Sequence, residues 1–588
     1  MASLNAQLSV LAGDAFANLD LPRDLGQVSR SDRPDLSQFQ CNGAMAAARI
    51  AKTNPRNIAE KIVGALSEHD CFSDVSIAGP GFINLSVTDD FLSEHLTALS
   101  ADERLGMAAP RFQQAVLDFG GPNIAKPMHV GHLRSTIIGD CLNRLFRYAG
   151  AGTVSDVHMG DWGKPMGMLI SALELEQPGL PYFDASHSGS YPEEAPVTLG
   201  DLERLYPLAA AACKADPERD EAARLATVAL QSGRAGYRAL WQHFLAISRQ
   251  AMEREFGALG VVFDLWKGES DVHDLISDMV ASLKQSSLAY KDQGALIIDV
   301  AQPEDGHEIP PLILEKSDGG ATYATTDLAT ILDRVETIDP DIIFYVVDQR
   351  QHTHFEQVFR AAGRAKLNGR SALEHIGFGT MNGPDGKPFK TRAGGVMKLH
   401  DLITMVREKA LERLDQAGLA TGFSQEERAL IASQIGIGAL KFADLSTHRL
   451  SDYIFDVDRF MRFEGKTGPY LQYAAVRIKS ILSKAVEEEA DVPDAALSIT
   501  SEVERNLGLA LSSFAEAMEA ALERRAPNLI CDHVYSLAQA FSRFYAEHHI
   551  LSEKDVALRG ARLGLCRATL IQVVTALGLL GIDVPERM

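Results

Sequence analysis

The chain has 588 residues, 46% of them apolar, which is enough for several domains with sizeable cores. Its 79 acidic residues against 57 Lys plus Arg leave a formal charge of −22. That balance excludes a non-specific nucleic-acid binder, though a local basic groove can sit on an acidic body. The 6 cysteines are scattered and form no CxxC pair, which argues against structural zinc and against a disulfide framework. No basic n-region opens the chain, and the apolar stretch near 569–584 is too short and too broken by polar residues to span a bilayer. A soluble, cytoplasmic protein with no membrane partner is expected.

Residues 1–110 read as a small α+β domain. Asn42 to Leu66 is helical in pattern, and Val75–Ile77 and Phe82–Val87 read as strands around an Ala-Gly-Pro-Gly turn. A linker follows at 103–113. From 115 to about 400, strand and helix signals alternate, the pattern of a parallel α/β sheet. Ala295–Val300 and Asp341–Asp348 are its clearest further strands. An Ala-rich helical insertion at about 178–257, entered through a Pro/Gly/Ser-rich loop, interrupts it. From about 406 to the end the period is helical, with connectors such as 487–493.

The stretch Ala115 to Asp140, AVLDFGGPNIAKPMHVGHLRSTIIGD, organises the whole chain. An apolar strand, Ala115–Phe119, runs into a Gly-Gly-Pro-Asn turn, and His129-Val130-Gly131-His132 opens a helix that reaches about Tyr148. A strand, a tight turn, a basic residue and a helix start suit a phosphate, because the first N–H groups of a helix have no internal partner. The i, i+3 spacing sets His129 and His132 on one face, and Gly131 lets a ligand approach the backbone. A zinc role is not indicated, since the HExxH spacing and a third ligand are both missing; no metal site is expected.

In this context, Pro122 to Thr136 resembles the HIGH signature of class I aminoacyl-tRNA synthetases, in the form used by arginyl-tRNA synthetases. Gly160-Asp161-Trp162-Gly163, Phe263-Asp264 through Ser270, and Ser317 to Asp327 fit the same family in order. So do Arg350-Gln351-His352, Gly386 to Gly395, Gly468 to Tyr473, and the closing Pro585-Glu586-Arg587-Met588. The resemblance implies a multidomain α/β protein. A Rossmann-type parallel-sheet catalytic domain with insertions would occupy 111–455, including a stem-contact region at about 406–455. An N-terminal α+β domain reading the tRNA D-loop would occupy 1–110, and a C-terminal all-α anticodon-binding domain 456–588.

The implied reaction joins L-arginine to tRNA(Arg) through arginyl-adenylate, with ATP and Mg2+ as the substrate complex, no tightly bound cofactor, and a monomeric enzyme. Phosphoryl-type transfer asks mainly for positioning and charge stabilisation. His129, His132 and Gly131, with helix N–H groups, would meet the triphosphate. The second class I signature departs from its usual form, with Thr391 standing where the family has its second lysine. Lys126, Lys387 and Lys390 are the candidates to replace it.

Guanidinium recognition calls for carboxylates in bidentate reach. The resemblance implies Asp327 as the main partner, with Tyr323 one turn before it and Asp118 or Glu269 as a second acid. Asn123 and Gln351 would hold the α-amino and carboxylate groups or the stem. For tRNA, Tyr470 is the candidate for stacking, among interleaved cations such as Arg477, Lys479 and Arg562 and aromatics such as Phe544. Phe39, Gln40 and Asn42 are the candidates in the N-terminal domain. The alternative reading is a catalytically inactive tRNA-binding paralogue.

Overall fold

A computed structural model describes residues 2–317, 320–383, 386–387, 389, 397–488 and 496–588. The chain divides into two compact units: Pro110–Glu412 with Ala443–Arg459, and Met1–Ala109 with Arg413–Phe442 and Phe460–Met588.

The first unit is built on a parallel four-stranded sheet of β1 (Gln114–Phe119), β2 (Gly152–Asp156), β3 (Ile342–Val346) and β4 (Ala372–His375) in the order β4-β3-β1-β2. Both faces of β1 are covered, so Ala115, Val116, Leu117 and Phe119 are all fully buried. Three helices flank these strands: α1 (Val130–Ala149), α2 (Tyr323–Ile338) and α3 (His352–Ala365). From β1 the chain goes outward to β2 on one side and later crosses to β3 on the other. The carboxyl ends of β1 and β3 therefore form a topological switch point, the crevice where open α/β sheets bind ligands.

The expected strand at Ala295–Val300 exists as Ala295–Ile298 but lies outside the parallel sheet. It is the middle strand of a separate antiparallel sheet with Ala289–Asp292 and Leu312–Glu315. Its apolar run signals burial, and burial is equally available in either sheet. The insertion is helical as expected, with Leu199–Ala215, Pro217–Gln231 and Ala235–Ala258 packed beside Lys164–Glu176.

In the second unit an antiparallel four-stranded sheet orders Val28–Arg30, Phe39–Cys41, Phe82–Val87 and Phe72–Ala78. The helical pattern from Asn42 to Leu66 is two helices, Gly43–Ala51 and Pro55–Leu66. Lys52 ends the first in the left-handed conformation, and Asn54 caps the second ahead of Pro55. The C-terminal region is helical. Residues 413–442 pack with this unit. The reason is a close crossing of helices Gln425–Leu445 and Gly468–Glu487, where a Cβ at Gly468 would lie 2.4 Å from the carbonyl oxygen of Gly438. Gln472 Nε2 then donates to the carbonyl oxygens of Gln434 and Asp583, at 2.9 and 2.7 Å.

The apolar stretch near the end is longer than expected, because its helix begins at Val556. Val556–Leu579 is long and apolar enough to cross a membrane, but 56% of its most apolar window is buried within the protein. It also carries the buried polar residues Arg562 and Gln572, which bond Glu504 and the carbonyl of Leu511. These are the features of a core helix.

Candidate functional site

The site grows from the loop between β1 and α1. Gly120, with φ +88°, would carry a Cβ within 3.3 Å of Phe263 and Phe256, so only glycine turns the chain there. Its N–H donates to Ser135 Oγ at 2.8 Å, and Ser135 donates in turn to the carbonyl of Val346 at 2.6 Å. One serine thus ties the ends of β1 and β3 together at the switch point. Ala125 is held in the left-handed region (φ +61°), and its N–H donates to Ser248 Oγ at 2.9 Å. A non-glycine residue in that region costs about 1–2 kcal/mol, and the Ser248 bond, from the last insertion helix, offsets part of it.

His129 is the N-cap of α1 rather than a member of its first turn. Gly131 N–H donates to His129 Nδ1 at 3.0 Å, and His129 N–H donates to His132 Nδ1 at 3.1 Å. A backbone amide can only donate, so both Nδ1 atoms are acceptors and each neutral ring carries its proton on Nε2. The rings lie 4.1 Å apart by centroid. A Cβ at Gly131 would come within 2.8 Å of the His129 ring, so glycine is needed here to admit the imidazole.

Burial first, then the neighbouring His129, pushes the His132 imidazole down to about 3. Burial and then the Lys126 ammonium lower that of His129. With both Nδ1 atoms accepting, the Nε2–H groups are the donors the two neutral rings have to offer.

The bare amide cradle expected at this helix start is not present. Val130 N–H donates to the carbonyl of Met397 at 3.1 Å, Gly131 N–H to His129 Nδ1, and His132 N–H to the carbonyl of His129 at 2.9 Å. What remains for a phosphate is the helix dipole and the imidazoles. The Met397 bond is part of a short pairing in which Leu399 N–H also donates to Met128 O at 2.9 Å and His129 bridges Lys398. The backbone just after the second signature is thereby fastened to the first histidine.

Lys390 and the rest of that signature, Thr391 to Gly395, lie outside the described residues, as do Asp318, Gly319 and most of the 487–493 connector. Gly383 N–H donates to the carbonyl of Lys387 at 2.8 Å. Lys126 Nζ stands 4.4 Å from the centroid of the Tyr206 ring.

Carboxylates gather on the other side. Asp327 and Tyr323 share a face at the start of α2, one turn apart. His354 Nε2, from α3, lies 2.6 Å from Asp327 Oδ2 and orients that carboxylate. Burial, followed by the Asp161 and Asp327 carboxylates, pushes Glu269 up to about 7. Burial, then Glu269, then Tyr206 raises the Tyr323 phenol. Asp161 is itself buried, held by Ser270 N–H at 3.0 Å and Ser270 Oγ at 2.6 Å. Glu269 is thus the acid that links Tyr323, itself 67% exposed, to Asp161 and Asp327, and a nearby cation would relieve the crowding of these carboxyls. Asn123 and Gln351 are both exposed, Asn123 bridging Gly160 and Gln351 immediately ahead of α3.

Asp118 does not join them. Its carboxylate lies 2.7 Å from Arg334 Nη2, which also meets Asp156 at 2.7 Å, and all three residues are buried. The register explains this, since β1 places Asp118 beside Tyr345 on one side and Asp156 on the other, and Arg334 of α2 covers the row. Asp118 is therefore committed to an internal guanidinium. Arg334, His354, Asp161 and Tyr206 are the residues that sequence reasoning left without a role. Only Asp161, inside the quoted Gly-Asp-Trp-Gly run, carried a local signal.

In the other unit Tyr470 is half-buried, its ring edge-on to Tyr535 at 5.9 Å and its hydroxyl 3.4 Å from Ser542 Oγ. Arg477 lies over the ring of Tyr545 at 4.3 Å. Arg562 is bound to Glu504 and Glu553, Lys479 is bonded to Glu586, and Phe544 is fully buried. Phe39 is also fully buried, so it has no ring face to offer a base. Gln40 Nε2 donates to Asn84 Oδ1 at 3.0 Å, while Asn42 is exposed at the N-cap of its helix.

A parallel sheet with two imidazole donors at its switch point belongs to the class I tRNA synthetases, and the family model described as "tRNA synthetases class I (R), catalytic domain" matches residues 95–457. Residues 5–87 match "Arginyl tRNA synthetase N terminal domain", and 471–588 match "DALR anticodon binding domain". The chain belongs to the arginyl-tRNA synthetase family. It is 53% identical to the arginine–tRNA ligase of Maricaulis maris and 51% to that of Hyphomonas neptunium, in each case over 100% of both chains. The crystal structure of arginyl-tRNA synthetase from Plasmodium falciparum has a TM-score of 0.82 at 26% identity, covering 100% of both chains. That of Thermus thermophilus has a TM-score of 0.79 at 22% identity over 100% of both chains and shares the fold.

Proposed function

We propose that the chain is an arginine–tRNA ligase. The carboxylate of L-arginine attacks the α-phosphorus of ATP, giving arginyl-adenylate and pyrophosphate. The arginyl group then passes to the 2′-hydroxyl of the terminal adenosine of tRNA(Arg), releasing AMP. The observation that carries this reading is the group of carboxyls, Asp161, Asp327 and Glu269, beside Tyr323, in which burial and then the two aspartates raise Glu269 to about 7. A fixed, planar, always-charged guanidinium matches that arrangement; lysine lacks the fork and would leave acceptors unpaired, so no proofreading is needed.

The residues divide the work. Asp327, Glu269 and Tyr323 receive the guanidinium, and Asn123 and Gln351 hold the amino-acid end. His129 and His132 present Nε2–H groups to phosphate oxygens as negative charge redistributes toward the leaving pyrophosphate. Lys126 supplies the cation that Thr391 cannot, and ATP arrives with its magnesium. Tyr470 is read as a stacking platform for an anticodon base, and Gln40 and Asn42 as contacts to the D-loop. The protein is read as a cytoplasmic monomer. An inactive paralogue is not favoured, because the histidine pair is complete, with both Nδ1 atoms engaged.

The test is ATP–pyrophosphate exchange with each amino acid, run with and without tRNA. Arginine-dependent exchange that requires tRNA(Arg) is expected. Exchange driven by another amino acid, or none under any condition, contradicts the reading.

A further inference from the structure

The insertion helix Leu199–Ala215 presents Glu203 and Tyr206, three residues apart on one face, to two lysines that flank the ATP half of the site. Tyr206 lies beneath Lys126, 4.4 Å from Nζ to the ring centroid, and Lys126 stands just before His129 in sequence. Glu203 Oε2 lies 2.7 Å from Lys398 Nζ, and Lys398 bridges His129 through the backbone. The helix is itself fixed. Thr198 and Asp201 form a capping box at its start, and the Tyr206 ring packs against the buried cluster of Met168, Ala209 and Ala223.

The two contacts differ in what they leave over. A carboxylate balances its lysine's charge and takes up one of its donors in a short ion pair, so the Glu203–Lys398 pair is an anchor. An aromatic face attracts an ammonium without accepting its N–H groups as a carboxylate does, so a lysine held over Tyr206 keeps its charge and donors for a phosphate. A lysine stem rotates freely, and fixing it before ATP arrives removes an ordering cost at the reacting step.

We propose that Tyr206 is a positioning residue for the ATP half of the site: its ring holds the Lys126 ammonium in place for the departing pyrophosphate, while Glu203 on the same helix face anchors Lys398 and the backbone paired with His129. This rests on the ligase reading above and on Lys126 as its phosphate-side cation.

The test compares Tyr206→Leu and Tyr206→Phe, each with and without Lys126→Met, in ATP–pyrophosphate exchange with arginine and tRNA(Arg). Loss of a half-buried cation–π contact predicts that Tyr206→Leu lowers kcat/KM for ATP about fivefold. The KM for arginine should stay within about twofold, and Tyr206→Phe, which keeps the ring, should stay near wild type. In the Lys126→Met background Tyr206→Leu should add nothing, and Lys126→Met alone reports the contact without touching the helix. Equal losses for Leu and Phe, a parallel rise in the KM for arginine, or an undiminished Tyr206→Leu effect without Lys126 would each overturn the inference. Wild-type exchange with the wrong variant pattern defeats this inference alone. Absence of arginine-dependent exchange in the wild type defeats the ligase reading together with it.

Discussion

At the start of α1 the two imidazoles have their Nδ1 atoms occupied by backbone amides, whereas near Tyr323 burial and then the neighbouring Asp161 and Asp327 push the Glu269 carboxyl up to about 7. The difference follows from what each region has to meet. ATP brings its own negative charge together with magnesium, so fixed neutral donors can follow the charge as it moves. Arginine, under the proposed reading, brings a cation whose charge never changes, which a buried carboxyl raised to about 7 would welcome. The usual titration logic is inverted as a result. Histidine is ordinarily the group that responds near neutrality, yet here His132 lies at about 3 and Glu269 at about 7.

The largest effect should come from the buried row beneath both regions. Arg334→Met leaves Asp118 and Asp156 buried without their cation and should cost about 3–5 kcal/mol of stability in chemical denaturation. An unchanged unfolding midpoint, combined with a raised KM for arginine, would return Asp118 to the substrate pocket. Asp327→Asn should lower kcat/KM for arginine by about 3–4 kcal/mol, on the order of several hundredfold, with the KM for ATP little changed. An equal loss toward both substrates would mean that Asp327 supports the fold rather than the guanidinium.

His132→Ala removes one N–H donor and the acceptor that fixes His129, so kcat for exchange should fall about a hundredfold, near 2.7 kcal/mol. The pH profile should keep its shape, since His132 lies at about 3, far below the range assayed. A lost limb between pH 6 and 8 would show instead that a histidine is the titrating group. The smallest effect is the pH dependence of arginine binding. Glu269 is raised to about 7 in the free site, and a guanidinium beside it favours the ionised form, so binding releases a proton. Affinity should be level above pH 7 and weaken as pH falls below it, by up to about tenfold per unit, or 1.4 kcal/mol. Glu269→Gln should flatten that slope, and an unaltered slope would place the titration elsewhere.

What could be read in advance tracks how local the determining physics is. Gln114–Phe119 and Val130–Ala149 emerge within a residue or two of expectation, because an apolar run and a 3.6-residue period are local signals. The fate of Asp118 was not legible, because its partner Arg334 lies 216 positions away and only strand register brings them together. Pattern alone could not say that the amides of α1 would be used, since that depends on the Met397 carbonyl and on the rotamer of His129. Phe39 was an aromatic in a domain read as binding RNA, but its place on an inner strand makes it core. Tyr206 carried no motif at all, and its interest comes entirely from which lysine stands over its ring.

The opposition between a neutral phosphate half and an acidic guanidinium half is tested most directly with L-citrulline, which keeps the length and planarity of arginine but replaces the cation with a neutral urea. ATP–pyrophosphate exchange with tRNA(Arg) present should run with arginine and be weaker with citrulline by on the order of 10³ in kcat/KM. Asp327→Asn should narrow that ratio by weakening arginine alone. Comparable exchange with arginine and citrulline would show that the carboxylates around Tyr323 do not read charge and would contradict the account.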